Sequence, residues 1–314
     1  MKNILITGGA GFIGSHLAKK LIERGGDVAI IDAFDGNPGL KKDRLEKFLN
    51  PKDYKFHNLL LSDTAKLTTV FRENKFDVIC HLAAKTNLEP DSELYNKMNI
   101  LGAIDIFEMA RIFNVPKIVF ASSSMVYGNS DKLPFSETDS TDYPLSLYAA
   151  TKKTDEVLAY TYHHLYKIKM VGLRFFTTYG PWGRPDMSIS RFTEQIIKHE
   201  PITVHNLGKI KRDYIYIDDM INGIISAIEK DLAFELINLG SGRAVELNQI
   251  VSLIENELNV KAVKKFIGMQ AGDLEATWAD ISKAKNLLDF QPAVSLETGI
   301  LKFINWYKEY NGLK

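Results

Sequence analysis

Cysteine is almost missing from this chain of 314 residues: Cys80 stands alone, so no internal disulfide can form and no cysteine-based structural zinc site is available. A surplus of charge is missing too. Lysine plus arginine and aspartate plus glutamate both number 39, a formal net charge of zero that argues against a nucleic-acid partner or an anionic membrane surface. No apolar run approaches the roughly eighteen residues of a membrane span. Met1-Lys2-Asn3 runs directly into Ile4-Leu5-Ile6-Thr7-Gly8, an apolar stretch too short for a signal peptide, and a cytoplasmic protein is expected. Ser/Gly linkers, low-complexity tracts and internal repeats are also lacking, which excludes a solenoid. What is present is globular composition, 45% hydrophobic and 25% charged, with length for one large domain or two small ones.

Short β-rich runs alternate with helix-period segments through the first 175 residues. Strands are expected at 3–7, 28–32, 55–59, 77–82, 117–121 and 169–174, and helices at about 12–24, 64–73, 93–113 and 148–166. Each helical stretch is long enough for the crossover that parallel pairing requires, so the pattern predicts an α/β fold with a Rossmann-type doubly wound parallel sheet. Beyond Arg174 the alternation gives way to the Gly/Pro-rich stretch Tyr179-Gly180-Pro181-Trp182-Gly183-Arg184-Pro185 and to shorter elements. The expected division is a first domain over 1–173, rejoined by the chain near 213–240, and a smaller C-terminal lobe over 174–314. The segment 296–310 has helical apolar spacing and is expected to pack back on the body.

Gly8, Gly11 and Gly14 lie between the first strand and the first helix, with Phe12 and Ile13 inside the motif. Glycine there lets backbone approach a pyrophosphate, the helix N-terminus offers free N–H groups, and Gly14 allows close helix–strand packing. Asp32 ends the next strand, placed to grip an adenosine ribose. No Arg or Lys occurs within the eight residues after it, and its carboxylate repels a 2′-phosphate, so NAD is expected rather than NADP.

Tyr148 and Lys152 stand one helical turn apart, an arrangement in which an ammonium favours the phenolate. The same spacing recurs at Tyr310 and Lys314, where Tyr310 reads as a packing residue. Position separates the two: Tyr148 opens the helix after the fifth strand, and Ser122-Ser123-Ser124 ends that strand at the edge where doubly wound sheets bind ligands. Cys80 reads as an inert small hydrophobe, and His163-His164 as ordinary helix residues; no metal site is expected.

The glycine triplet, His81-Leu82-Ala83-Ala84, Ser123 with Tyr148 and Lys152, and Arg212-Asp213-Tyr214-Ile215-Tyr216-Ile217-Asp218-Asp219 resemble the extended short-chain dehydrogenase/reductases that epimerise nucleotide sugars. Leu147–Lys153, Arg174–Met187 and Met269-Gln270-Ala271-Gly272-Asp273 narrow the resemblance to those acting on UDP-glucuronate. The resemblance implies an enzyme that binds NAD and a UDP-sugar, and that removes hydride from C4 of a UDP-hexuronate and returns it to the opposite face. In that chemistry Tyr148 takes the 4-hydroxyl proton, Lys152 supports it and holds the nicotinamide ribose, and Ser123 bonds the developing C4 oxygen. Leu82, Ala83 and Ala84 would join the glycine loop around the cofactor. Ser122, Ser124, Thr177, Arg184, Arg212 and Asp273 would meet the substrate, Arg184 and Thr177 at the C6 carboxylate, Arg212 at the diphosphate and Asp273 at the uridine ribose. Helices 93–113 and 148–166 resemble the pair that forms a homodimer interface in this family.

Sister 4,6-dehydratases and decarboxylases carry acidic residues where this chain has Ser124 and Met125, so those reactions lack a catalytic group here. The chain departs from the resemblance at Lys85-Thr86-Asn87-Leu88-Glu89-Pro90-Asp91, where relatives read Gln-Ala-Gly-Val-Arg-Tyr-Ser, at Leu60, where an acidic residue touches adenine, and at Thr178, where Val is usual. Two alternatives stay open: a C4 epimerase of neutral UDP-hexoses or UDP-N-acetylhexosamines, and an NAD-binding sensor without turnover.

Overall fold

A computed structural model describes residues 2–86, 92–268 and 275–313. Seven strands form one parallel sheet: β1 (Asn3–Thr7), β2 (Asp27–Asp32), β3 (Tyr54–Asn58), β4 (Val78–His81), β5 (Lys117–Ser123), β6 (Lys169–Phe175) and β7 (Phe234–Leu239), in the order β7-β6-β5-β4-β1-β2-β3. Their apolar runs, such as Ile4-Leu5-Ile6 and Ile118-Val119-Phe120, are buried because helices cover both faces. Thr7 pairs in register with Ile31 of β2 and His81 of β4, so strand order reverses at β1, the switch point where such sheets bind ligands.

The expected strands and crossover helices are present within a few residues of their predicted bounds. β7 pairs in parallel with β6, and the helix before it, Ile217–Glu229, packs beside Phe12–Glu23. Residues 93–113 are not one regular helix: a π-helical stretch, Asn96–Leu101, separates Ser92–Tyr95 from Gly102–Ile112. The helix Pro38–Phe48 was not predicted. Its stripe of buried residues is sparse, only Leu40, Arg44 and Leu45, so apolar periodicity is weak. Its start signal is nonetheless written in the chain, Asn37 accepting from Leu40 N–H at 3.1 Å with Pro38 next.

After β6 the lobe is built from small pieces. Thr177–Tyr179 pairs with Tyr214–Tyr216, and Lys211–Arg212 lies between Val245–Glu246 and Ala276–Thr277. The last helix, Leu296–Tyr310, docks through Ile300, Phe303 and Ile304, and the Tyr310 ring packs on Trp306 and Trp182, as the packing role requires. No described helix is long and apolar enough to cross a membrane.

Two imidazoles are carried in the interior. Burial holds His16 down to about 4 and His81 down to about 3, the latter with help from the Lys152 charge. Unfolded, both titrate near 6.5, so below that pH the unfolded chain takes up protons that the native state refuses. Stability present above pH 6.5 is therefore lost as pH falls, by about 3 kcal/mol between 6.5 and 5 for the pair. Thermal melts are expected to show a lower Tm at pH 5 than at pH 7, by several degrees; equal melting temperatures would refute this reading.

Candidate active site

The cleft at the switch point is shaped by backbone. Gly8 has φ 70°, and a Cβ there would lie 2.8 Å from Ala83 N; a Cβ on Gly14 would lie 2.3 Å from the Gly8 carbonyl. Helix Phe12–Glu23 starts at Gly11 with no side-chain cap, so its first N–H groups are available to an anion. Leu82, Ala83 and Ala84 form the facing wall. Ala83 N–H donates to Thr7 Oγ1 at 3.2 Å, and the same hydroxyl pairs with His81 Nδ1 at 2.8 Å, which ties β1 to β4 beneath the cleft. A narrow cradle that any Cβ would fill, facing an uncapped helix end, fits a dinucleotide.

Asp32 is buried and already engaged. Its Oδ2 accepts from Ala10 N–H at 3.1 Å, and Oδ1 accepts from Phe34 N–H at 2.9 Å and Lys41 Nζ at 2.8 Å. Lys41 lies just outside the eight-residue stretch searched for a cation, and the unpredicted helix folds it back onto the carboxylate. Three donors thus occupy the carboxylate, which leaves about one of its four acceptor positions for a further hydroxyl. The same helix delivers Arg44, 3% exposed, whose Nε and Nη2 donate to the Trp182 carbonyl at 3.0 and 2.7 Å, with Nη1 3.4 Å from the Ala10 carbonyl. One buried guanidinium thus joins the glycine loop to the Tyr179–Pro185 turn, where Trp182 adopts φ 65°.

The second group lies along the end of β5. Ser123 is buried, and its Oγ accepts from Met125 N–H at 3.2 Å, starting the turn Ser124–Tyr127. Helix Leu147–Tyr166 is capped by Ser146, which accepts from Ala149 N–H at 3.1 Å, and it packs against β5 and that turn. This helix carries half-buried Tyr148 and buried Lys152 against the strand that ends at Ser123. Lys152 Nζ is 3.0 Å from Asp155 Oδ2. Burial disfavours the ammonium, but Asp155, with Tyr148 and Glu156, more than offsets this and holds it above the ordinary lysine range. Asn99, from the π-helical stretch, donates to Thr151 Oγ1 at 3.0 Å and brackets the Lys85 backbone, its Oδ1 accepting from Lys85 N–H at 2.7 Å.

Ser122 does not behave as expected. Strand alternation turns its hydroxyl inward, where it donates to Glu156 Oε1 at 2.6 Å within the Arg174–Glu156 pair, so it is not available to a sugar. Ser124 is half-buried at the start of the turn.

In the C-terminal lobe, Thr177 and Arg184 line one small cavity, with room for about one water molecule, together with Met187 and Tyr214. Arg184 Nε donates to Asp186 Oδ1 at 3.0 Å, Nη2 to Asp186 Oδ2, and Nη1 to Thr86 Oγ1. Three of its five N–H groups are taken, which leaves two, the number a carboxylate accepts in a fork. Thr178 is buried with its hydroxyl on the Phe176 carbonyl at 3.2 Å, so its departure from Val is satisfied locally. Arg212 is half-buried, and its neighbour Asp213 is pinned by Ser241 and Gly242 N–H and by Ala279 N–H at 2.6, 3.0 and 3.1 Å. Asp273 and its motif Met269–Asp273 lie outside the described residues, as do 87–91 of the departing loop.

Sequence reasoning missed Lys41, Arg44, Asn99 and Asp155. Asn37-Pro38 was a legible start for the helix carrying the first two, and Asp155 stands three residues from Lys152 on one helix, a legible spacing; the role of Asn99 depends on which helix faces which.

Residues 5–303 match the GDP-mannose 4,6 dehydratase family. An uncharacterised protein of Methanocaldococcus jannaschii is 46% identical over 98% of this chain and 97% of its own length. The UDP-glucuronate 4-epimerase of Thermodesulfobacterium geofontis is 40% identical over 97% of this chain and 96% of its own. The crystal structure of Bacillus cereus UDP-glucuronic acid 4-epimerase in complex with UDP-glucuronic acid and NAD superposes with a TM-score of 0.92 at 34% identity, covering 98% of this chain and 99% of that one.

Proposed function

The chain belongs to the GDP-mannose 4,6 dehydratase family of extended short-chain dehydrogenase/reductases, and from that membership we propose that it interconverts UDP-glucuronate and UDP-galacturonate by NAD-dependent epimerisation at C4. The observation that supports the reading is Arg184, which keeps two guanidinium N–H groups unspent and lines one small cavity of the C-terminal lobe together with Thr177. Bound NAD supplies a reversible hydride acceptor beside the sugar carbon. Gly8, Gly11, Gly14 and the start of helix Phe12–Glu23 hold its pyrophosphate, Asp32 its adenosine ribose, and Lys152 its nicotinamide ribose.

Tyr148 takes the proton of the 4-hydroxyl as hydride leaves, Ser123 donates to the C4 oxygen, and the charged Lys152 favours the phenolate. The 4-keto sugar turns in the pocket, and the same tyrosine returns the proton to the other epimer. Ser124 and Arg212 hold the sugar and diphosphate. Residues 1–173, rejoined by Ile217–Leu239, form the cofactor body, and the rest forms the sugar lobe.

A homodimer is part of the proposal. Leu101, Ile112, Val157, Tyr160 and Leu165 are apolar yet exposed on the two helical segments that the family resemblance implies for a subunit interface. Cytoplasmic location follows from the same reading, and cell fractionation tests it. A reading on neutral UDP-hexoses is favoured by one observation, the departing loop Lys85–Asp91.

One experiment separates these readings. Purified protein, denatured, is expected to release NAD, and NMR of incubations with UDP-glucuronate, UDP-glucose and UDP-N-acetylglucosamine is expected to show only the first epimerised. Light scattering of the same sample is expected to give the mass of two chains. Recovery of NADP overturns the role of Asp32, turnover of UDP-glucose alone establishes the neutral reading, and no turnover with any sugar revives the sensor.

A further inference from the structure

The Lys152–Asp155 pair is dry, like the Arg174–Glu156 pair beside it. Its two side chains are 2% and 1% exposed, with 3.0 Å between Nζ and Oδ2. Burying a carboxylate is costly, and such a pair is often no more stable than apolar residues of the same volume. Asp155 is not part of a wider network either, since its Oδ1 is buried with no hydrogen-bond partner among the described residues. The other charged or titratable groups facing the pair have other engagements. Glu156, on the same helix, is held by Arg174 of β6 at 2.8 and 2.9 Å, and His81 of β4, kept neutral by burial, is bonded to Thr7. Tyr148 is on the same helix, and the Tyr95 ring from Ser92–Tyr95 lies 6.4 Å from the Tyr148 ring. Asp155 is thus the one carboxylate here whose only cation is Lys152.

We propose that Asp155 is a positioning residue of the reaction: it keeps the buried Lys152 amine charged and directed, and thereby sets the pH range in which Lys152 supports the Tyr148 phenolate. The inference rests on the epimerase reading for its consequence in turnover. Burial pushes the Asp155 carboxyl itself up while the Lys152 ammonium pulls it down, and the sign of the effect follows from the charge it carries beside that ammonium. Removing a negative charge makes proton loss easier at both neighbours, so Lys152 and Tyr148 both titrate at lower pH. Burial also opposes the ammonium, an effect that Asp155 now offsets.

The test is Asp155→Asn, nearly isosteric and uncharged. In the pH profile of kcat/KM for UDP-glucuronate, both limbs are expected to move to lower pH, the basic limb by at least about one unit. A second readout needs no turnover. The 15N resonance of Lys152 Nζ, assigned by its loss in Lys152→Met, is expected to stay protonated to pH 10 in the parent and to titrate below that in Asp155→Asn. Should Asp155→Asn not fold, Asp155→Ser leaves room for water beside the amine and carries the same readouts. A folded, NAD-loaded variant with the parent's profile and the parent's Lys152 titration overturns the proposal. A parent that epimerises no UDP-sugar overturns the epimerase reading, while the resonance still decides the role of Asp155 toward Lys152.

Discussion

Tyr148→Phe is expected to fold, to retain NAD and to lose at least about 10²-fold in kcat on UDP-glucuronate, the scale of a positioned acid–base group. The ring stays, so packing beside Tyr95 is preserved, and the Ser146 cap that starts the helix is untouched. Only the hydroxyl that exchanges the C4 proton is lost. Ser123 cannot replace it, because a serine hydroxyl is far too weak an acid, and Lys152 is held charged by Asp155 and has no lone pair to accept a proton. Steady-state kinetics with NAD content measured on the same sample checks this, and near-parental turnover in NAD-loaded protein would place the base elsewhere.

The second large effect is expected at Arg184. Oxidising C4 of a uronate gives a β-keto acid, which loses CO₂ when its carboxylate bond aligns with the carbonyl π system. An epimerase has to prevent that alignment. Arg184 and Thr177 line one cavity, and the guanidinium is itself steadied by Asp186 and Thr86, so its two remaining N–H groups can fix the carboxylate near the carbonyl plane. Met125 offers no proton to assist the loss. Removing one partner of such a pair costs about 2–5 kcal/mol. Arg184→Ala is therefore expected to lower kcat/KM for UDP-glucuronate by roughly 30-fold or more, to change a neutral UDP-hexose far less, and to release some decarboxylated pentose product. Product analysis by NMR with a CO₂ assay checks both parts. Parental handling of UDP-glucuronate without CO₂ would remove Arg184 from the site and favour the neutral-hexose reading.

Ser122 and Asp32 show how far local pattern reaches. The run Ser122-Ser123-Ser124 marks the ligand edge of β5, but neighbouring strand residues face opposite ways, so Ser123 sits at the edge while the Ser122 hydroxyl is spent beneath it on Glu156. Asp32 was legible as a strand-end carboxylate, yet three donors already hold it, one of them the lysine returned by a helix whose apolar stripe is too thin to see.

The amino-acid sequence by itself determined the parallel sheet, the glycine cradle and the Tyr148–Lys152 turn, because each rests on interactions between residues near in the chain: strand alternation, missing Cβ atoms, helical spacing. It also determined the last helix, from 296 to 310. Packing alone fixes that Arg44 reaches the Trp182 carbonyl, that Thr86 steadies Arg184, and that Lys152 and Asp155 are buried together. Those contacts join distant elements or depend on burial, and burial is a property of how the elements pack, which no single stretch of chain carries.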